Sequence, residues 1–187
     1  MTQSKTTSRT ITRTLLKGIG IASAVSMVVV APNSVVLLDS VLKKYDKKQA
    51  RAALAQLKYR KLVEVKLVNG QYQYRLTNAG HVSFRKIQLE ELSIPTPHRW
   101  DHLWRIVAFD IPATNQRSRR HLIYHLKQLG FYKLQHSLWV HPFECKEQVG
   151  VLVEVFGLAD NVTLITASEG NFVDHATRHF IEQDLLM

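Results

Sequence analysis

Asn69-Gly70 constrains this chain more than any other pair of residues. Asn-Gly is the preferred pair for a two-residue type I′ turn, because both positions require φ above zero. It lies at the centre of an alternating run from Leu62 to Thr77. Folding the run about that turn sets Leu67 opposite Tyr72, Val65 opposite Tyr74 and Val63 opposite Leu76 on one face. The other face pairs Lys66 with Gln73 and Glu64 with Arg75. One side of this hairpin is built to pack on helices, and the other to meet solvent or a phosphate backbone.

Three helical segments are expected before the hairpin. The first dozen residues, rich in Ser, Thr, Lys and Arg, read as a basic N-terminal arm. Thr14 to Val30 then reads as a helix apolar nearly all round, ended by Pro32. Its apolar stretch after Lys5, Arg9, Arg13 and Lys17 superficially resembles a signal peptide. It is too short to span a bilayer, which takes a helix of about 20 residues. Cleavage after Ala31 would also set Pro32 beside the scissile bond, so a buried helix is the better reading. Ser34 to Tyr45 gives a second helix, with Val35, Leu38, Val41 and Leu42 at helical spacing. Asp46 is the expected N-cap of a third, Lys47 to about Lys61. There Ala50, Ala53, Leu54 and Leu57 form a narrow stripe for burial, while Lys48, Arg51, Ala52, Ala55 and Tyr59 face the other way. A helix with cations and small residues on its outer face can enter a major groove without steric conflict. Three helices followed by a two-stranded ribbon is the winged helix-turn-helix order. Asn78-Ala79-Gly80 opens a fourth helix to about Leu92, and Pro95 and Pro97 mark a linker.

Beyond the linker the pattern changes. Trp104 to Ile111 reads as a buried strand, and Thr114 or Asn115 caps a helix stopped by Gly130. Phe131 to Val140 gives one bent strand or two short ones, Glu144 to Gly157 a helix, and Asn161 to Ala167 a strand. This β, α, β, (β), α, β order is that of the ferredoxin-like α+β fold. Asp174 to Leu186 makes a terminal helix. The expected domains are therefore 1–92, winged helix-turn-helix with its arm; 93–102, linker; 103–170, ferredoxin-like; and 171–187, C-terminal helix.

Charge divides the chain in the same place. Residues 1–91 hold 16 Lys and Arg against 5 Asp and Glu, whereas residues 92–187 hold 9 against 10, for a net charge of +10. Clustered positive charge suits a polyanion, since each neutralised phosphate releases counterions. A single cysteine, Cys145, forms no internal disulfide and fits a reducing cytoplasm.

Candidates for chemistry are few. His121 with His125, and His175 with His179, stand at i, i+4, but neither pair has the intervening Glu of a zinc protease motif or an identifiable third ligand. Asp110 ends the central strand and could hold Mg²⁺ with help from water, a phosphate or a second subunit; capping the turn into Pro112, or pairing with Arg117, Arg119 or Arg120, is the plainer role. Ser137 and Cys145 are possible nucleophiles with no recognisable base or oxyanion hole.

Trp104-Arg105-Ile-Val-Ala-Phe-Asp110-Ile-Pro112, Leu134-Gln135-His-Ser137-Leu-Trp139-Val140 with Pro142, Phe143 and Cys145, and Val155-Phe-Gly157 together resemble the PaaX family of bacterial transcriptional repressors. The resemblance spans roughly residues 10 to 168. It implies a winged helix followed by a dimerising domain similar to the small spacer-acquisition nuclease of CRISPR systems. Those repressors carry a further C-terminal domain that this chain, stopping at Met187, lacks, so effector binding by acyl-CoA does not carry over. Asp110 matches the nuclease's strand-end acid and Ser137 its small hydroxyl residue.

The expected function is a homodimeric, sequence-preferring, double-stranded DNA-binding regulator of the cytoplasm, a repressor, with no membrane association and no cofactor beyond a possible Mg²⁺. Lys48, Arg51, Ala55 and Tyr59 would face the groove, with Lys47, Lys66, Gln73 and Arg75 near phosphates. The alternatives are an Mg²⁺-dependent nuclease or CRISPR adaptation factor using Asp110 and Ser137, and a non-specific architectural DNA-binding protein. A fused winged helix favours binding over cutting.

Overall fold

The alternating run around residues 69 and 70 forms an antiparallel ladder, and its register follows from the pattern pair by pair. Val63–Val68 (β2) and Gln71–Leu76 (β3) pair from Val63↔Leu76 through Val65↔Tyr74 to Val68↔Gln71. The computed structural model describes residues 2–24, 29–31, 47–68 and 71–186, so the Asn69-Gly70 turn lies outside the described residues. Val63 and Leu76 are buried, Val65 and Tyr74 pack against the core, and Leu67 is 64% exposed. The hairpin therefore begins inside the core and extends beyond it.

The chain divides into two compact units, 1–90 and 91–187. In the first, the opening helix differs from expectation at both ends. Thr2–Ala24 is one helix (α1), so the residues expected as a basic arm are its first turns. The reason is a buried stripe that starts early: Ile11, Leu15 and Ile19, with Thr12 and Leu16 beside them, recur at helical spacing and are all buried. At the other end, Val29–Ala31 is not helical but a short strand (β1), bonded to the outer edge of β3 in the sheet order β1-β3-β2. A short apolar run carries no periodicity that separates helix from strand, and the free edge of β3 supplies the partner that decides it. The helix expected over Ser34–Tyr45 and its neighbouring cap Asp46 lie outside the described residues.

Lys47–Tyr59 forms α2, with Ala50, Ala53 and Leu57 buried as the spacing requires. Lys61, in the left-handed region at φ 54°, turns the chain from α2 into the hairpin. Asn78–Glu90 is α3. Thr77 caps it, its Oγ1 accepting from the Gly80 N–H at 3.0 Å and donating to the Lys61 carbonyl at 2.6 Å. Ile11, Leu15, Leu16 and Ile19 of α1 close one core with Ala53 and Leu57 of α2, Leu62, Val63 and Leu76 of the hairpin, and Phe84 and Ile87 of α3.

The second unit runs β4 (Trp104–Phe109), a 3₁₀ turn (Ala113–Asn115), α4 (Gln116–Gln128), β5 (Tyr132–Gln135), β6 (Leu138–His141), α5 (Lys146–Phe156), β7 (Val162–Ala167) and α6 (Val173–Glu182). Phe131 to Val140 thus resolves into two strands. The sheet order is β5-β6-β4-β7 with every neighbour antiparallel, the split β-α-β-β-α-β arrangement read from the sequence. Asn115 stands at the N-cap of α4, yet its side chain makes no capping bond; the preceding 3₁₀ turn introduces the helix instead. On one face of the sheet Trp104, Ile106 and Val140 pack with Phe143 and with Ala176 and Phe180 of α6. The alternate strand residues Val107, Phe109 and Trp139 are buried too, as are Leu122, Leu126, Val149 and Leu152 of α4 and α5.

Candidate nucleic-acid interface

Burial of Ala50, Ala53 and Leu57 fixes which way the rest of α2 points. Lys48, Arg51, Ala52, Ala55 and Tyr59 are all exposed, Tyr59 at 89%. Tyr59 is a large aromatic surface held out into solvent at the end of a basic helix. No carboxylate pairs with Lys48 or Arg51 among the described residues. Lys47 opens the helix, and its side chain lies outside the described residues. Lys58, Arg60 and Lys61 add three exposed cations at the C-terminal end of the helix and just beyond it. Sequence reasoning passed over these three, although the dipole preference for cations at a helix C-terminus was a signal available for Lys58.

The hairpin supplies the second group. Lys66 and Arg75 are exposed and Gln73 half-buried. The ladder sets Lys66 opposite Gln73 and Glu64 opposite Arg75, so one face carries the four polar residues. Gln73 also pairs with Val30 of β1, which places it in the middle strand and not on an edge. The polar strip thus rests on a three-stranded sheet.

Asp110 and Ser137 come to one end of the second unit's sheet. Phe109 N–H donates to the Ser137 carbonyl at 3.0 Å, and Asp110 follows immediately. Asp110 N–H donates to the Asn161 carbonyl, and Asn161 Nδ2 donates back to the Asp110 carbonyl, both at 2.9 Å. Those bonds use the backbone and leave the carboxylate exposed. None of Arg117, Arg119 and Arg120 holds it: Arg119 instead lies over the Phe109 ring, 5.8 Å from its centroid, and donates to the His136 carbonyl. Among the described residues no three His, Cys, Asp or Glu side chains gather as a metal set. A single carboxylate holds Mg²⁺ only with further oxygen ligands from water, a phosphate or a second subunit.

Most of the remaining candidates are occupied by packing, His175 alone among them standing exposed with no ring contact among the described residues. His121 stacks on Phe156 at 5.5 Å and 15°, and His125 lies 5.5 Å from the same ring. Burial, and secondarily the charge of His121, pushes the His125 pKa down. His179 stacks on Tyr132 at 4.2 Å. Cys145 is fully buried, and its thiol is pushed up to about 12, chiefly by burial and then by the Glu144 charge. A thiol with that pKa is not an activated nucleophile near neutral pH.

No helix among the described residues is long and apolar enough to cross a membrane. No curated protein matches the chain. Residues 97–179 match the family model of the PaaX protein central Cas2-like domain, so this part of the chain is similar to that domain.

Proposed function

We propose that the chain is a homodimeric transcriptional repressor that binds double-stranded DNA through residues 1–92 as a winged helix-turn-helix, with residues 103–170 as its ferredoxin-like dimerisation domain. The observation that carries this reading is the outer face of α2: Lys48, Arg51 and Tyr59 exposed around small Ala52 and Ala55, in the half of the chain that holds all of the positive excess. Small residues let the helix backbone approach base edges, while the cations meet guanine acceptors or phosphates. Lys66, Gln73 and Arg75 extend the surface along the hairpin as the wing. The PaaX-like central domain supports a regulator, and two-fold pairing would present two such helices to half-sites about one helical turn apart.

Selection of bound sequences from random duplex DNA tests it. A palindromic enriched motif is the expected result, and Arg51→Ala is expected to cost about 1–3 kcal/mol with relaxed preference at one position. Absence of any enriched sequence would make the chain an architectural protein instead. Cutting of plasmid in Mg²⁺ that disappears in Asp110→Ala would make it a nuclease.

A further inference from the structure

A cleft of about 490 Å³ opens in the N-terminal unit among α1, α2 and α3. That volume is in the range of about 300–1,000 Å³ typical of small-molecule sites. Leu16 and Ile87, each nearly buried, reach its floor over the fully buried Leu57. Four cations, Arg9, Arg13, Arg60 and Lys86, line it against one carboxylate, Glu90. From α2 and the residue after it the cleft takes Gln56 and Arg60, beside the strip that bears Arg51, Ala55 and Tyr59.

Glu90 shows what the cleft accepts. Its Oε2 takes a 2.8 Å bond from Arg13 Nη1, and Lys86 Nζ stands 3.9 Å from its Oε1. Arg13, Lys86 and Arg9 together hold the Glu90 carboxyl below the usual carboxylate range, the Arg13 bond contributing most. A single carboxylate leaves the charge unbalanced. Arg60, just past the end of α2, holds no ion pair among the described residues. Thr12 and Gln56 on the wall are bonded to each other at 3.0 Å, and Thr12 donates to the Ser8 carbonyl at 2.8 Å. The Thr12 hydroxyl thus faces two acceptors, the Ser8 carbonyl and Gln56 Oε1, and its one proton is shared between them. The wall is therefore fixed, while the cationic rim has capacity for a second anion.

We propose that this cleft binds a small organic anion, a carboxylate or phosphate monoester on a short apolar chain, with Arg60 and Lys86 at the head group and Leu16 and Ile87 under the chain. Of the cations placed at the candidate interface Arg60 alone lines the cleft, and Lys48, Arg51, Tyr59, Lys66, Gln73 and Arg75 do not, so the site does not rest on the DNA-binding reading.

Titration calorimetry and thermal melting of the full chain with hexyl phosphate, hexanoate and inorganic phosphate test the proposal. Either hexyl phosphate or hexanoate is expected to bind saturably at one site per chain and raise the melting midpoint; the tighter of the two identifies the head group. Arg60→Gln, an exposed substitution checked for an unchanged melting midpoint without ligand, should weaken that binding at least about ten-fold, the loss expected of a charge-assisted contact. Glu90→Gln removes the competing carboxylate and should tighten it, and Arg120→Gln in the other unit should leave it unchanged. Absence of saturable binding by both amphiphilic probes would overturn the proposal, as would equal affinity in Arg60→Gln. Inorganic phosphate binding as tightly as hexyl phosphate, and being displaced by duplex DNA, would also overturn it by making the cleft a backbone-phosphate contact.

Discussion

Gly80 lies directly against the carbonyl oxygen of Leu62: a β-carbon at position 80 would collide with that oxygen. The Leu62 carbonyl is already committed, accepting from the Thr77 N–H at 3.1 Å where the hairpin returns to α3. Replacing helical Gly by Ala ordinarily stabilises by about 0.5–1 kcal/mol. Here steric displacement of a backbone atom opposes it, and overpacking of this kind costs about 1–3 kcal/mol. Gly80→Ala is therefore expected to lower stability. Gly150, exposed in α5 with nothing near its missing β-carbon, provides the opposite case, and Gly150→Ala should raise stability. Urea unfolding of both variants checks the pair of signs. A stabilised Gly80→Ala would mean that α3 and Leu62 are not in contact.

His141 should make the second unit acid-sensitive. It is 3% exposed, faces Arg105 across the β4–β6 ladder, and accepts at Nδ1 from the Phe143 N–H at 3.1 Å. Burial first, with the Arg105 charge adding to it and the Phe143 backbone partly opposing, pushes its pKa down to about 4. An unfolded histidine takes its proton near pH 6.5, so as pH falls from about 6.5 to about 4 the unfolded state gains the proton and the folded state does not. Stability is complete above that window and falls through it by up to about 3 kcal/mol. Urea midpoints at pH 7.5 and 4.5, together with NMR titration of the histidine ring resonances, measure it. A His141 resonance titrating near pH 6.5 would remove this source of acid sensitivity.

The contrast between the hairpin and the first helix shows which information a sequence holds. Val63, Val65 and Leu67 alternate over a length that only a strand satisfies, so pairing partners followed residue by residue. The second unit was legible for the same reason, with turn residues and apolar runs marking each element. Val29–Ala31 was not, because its strand character comes from the open edge of β3 and not from its own residues. Thr77 was overlooked as a cap, since a threonine preceding Asn78 gives two adjacent capping residues with no local rule to choose between them. For the candidate interface, periodicity assigned the exposed face of α2 correctly. The cleft was illegible because Arg13 and Glu90 meet across 77 positions of sequence.

Arg75 separates a hairpin that touches DNA from one that does not. It is exposed on β3 opposite Glu64, away from the buried Val63 and Leu76 pair. Arg75→Ala should weaken duplex binding about equally for all sequences and flatten the slope of log affinity against log salt by about one unit. Affinity measured over a series of salt concentrations for preferred and scrambled duplexes checks this. An unchanged slope would place the hairpin outside the interface.

The final prediction concerns where the second unit begins. Trp100 Nε1 donates to the Pro142 carbonyl at 2.8 Å, and its ring meets Trp104 edge-on at 4.9 Å. Asp101 binds the buried Arg105 guanidinium, which Glu144 also contacts, and Gln148 Nε2 donates to the Ser93 carbonyl at 3.0 Å. Ile94 packs on the same core as Trp100. The proline-bearing segment before β4 is thus part of this unit's packing. A fragment starting at residue 91 should unfold cooperatively, whereas one starting at residue 103 loses Trp100 and leaves Arg105 buried with a reduced set of partners. Removing a partner from a buried charge costs about 3–5 kcal/mol, and exposed Asp101 brings that toward the lower figure. For a unit of this size about 3 kcal/mol corresponds to a melting midpoint lower by roughly 12–24 °C. Equal midpoints would show that the segment contributes nothing. Sedimentation of the longer fragment tests the proposed dimer, for which a two-chain species is expected. Titration with duplex at low salt should show binding far weaker than that of the whole chain, because residues 92–187 carry 9 basic against 10 acidic side chains and release few counterions.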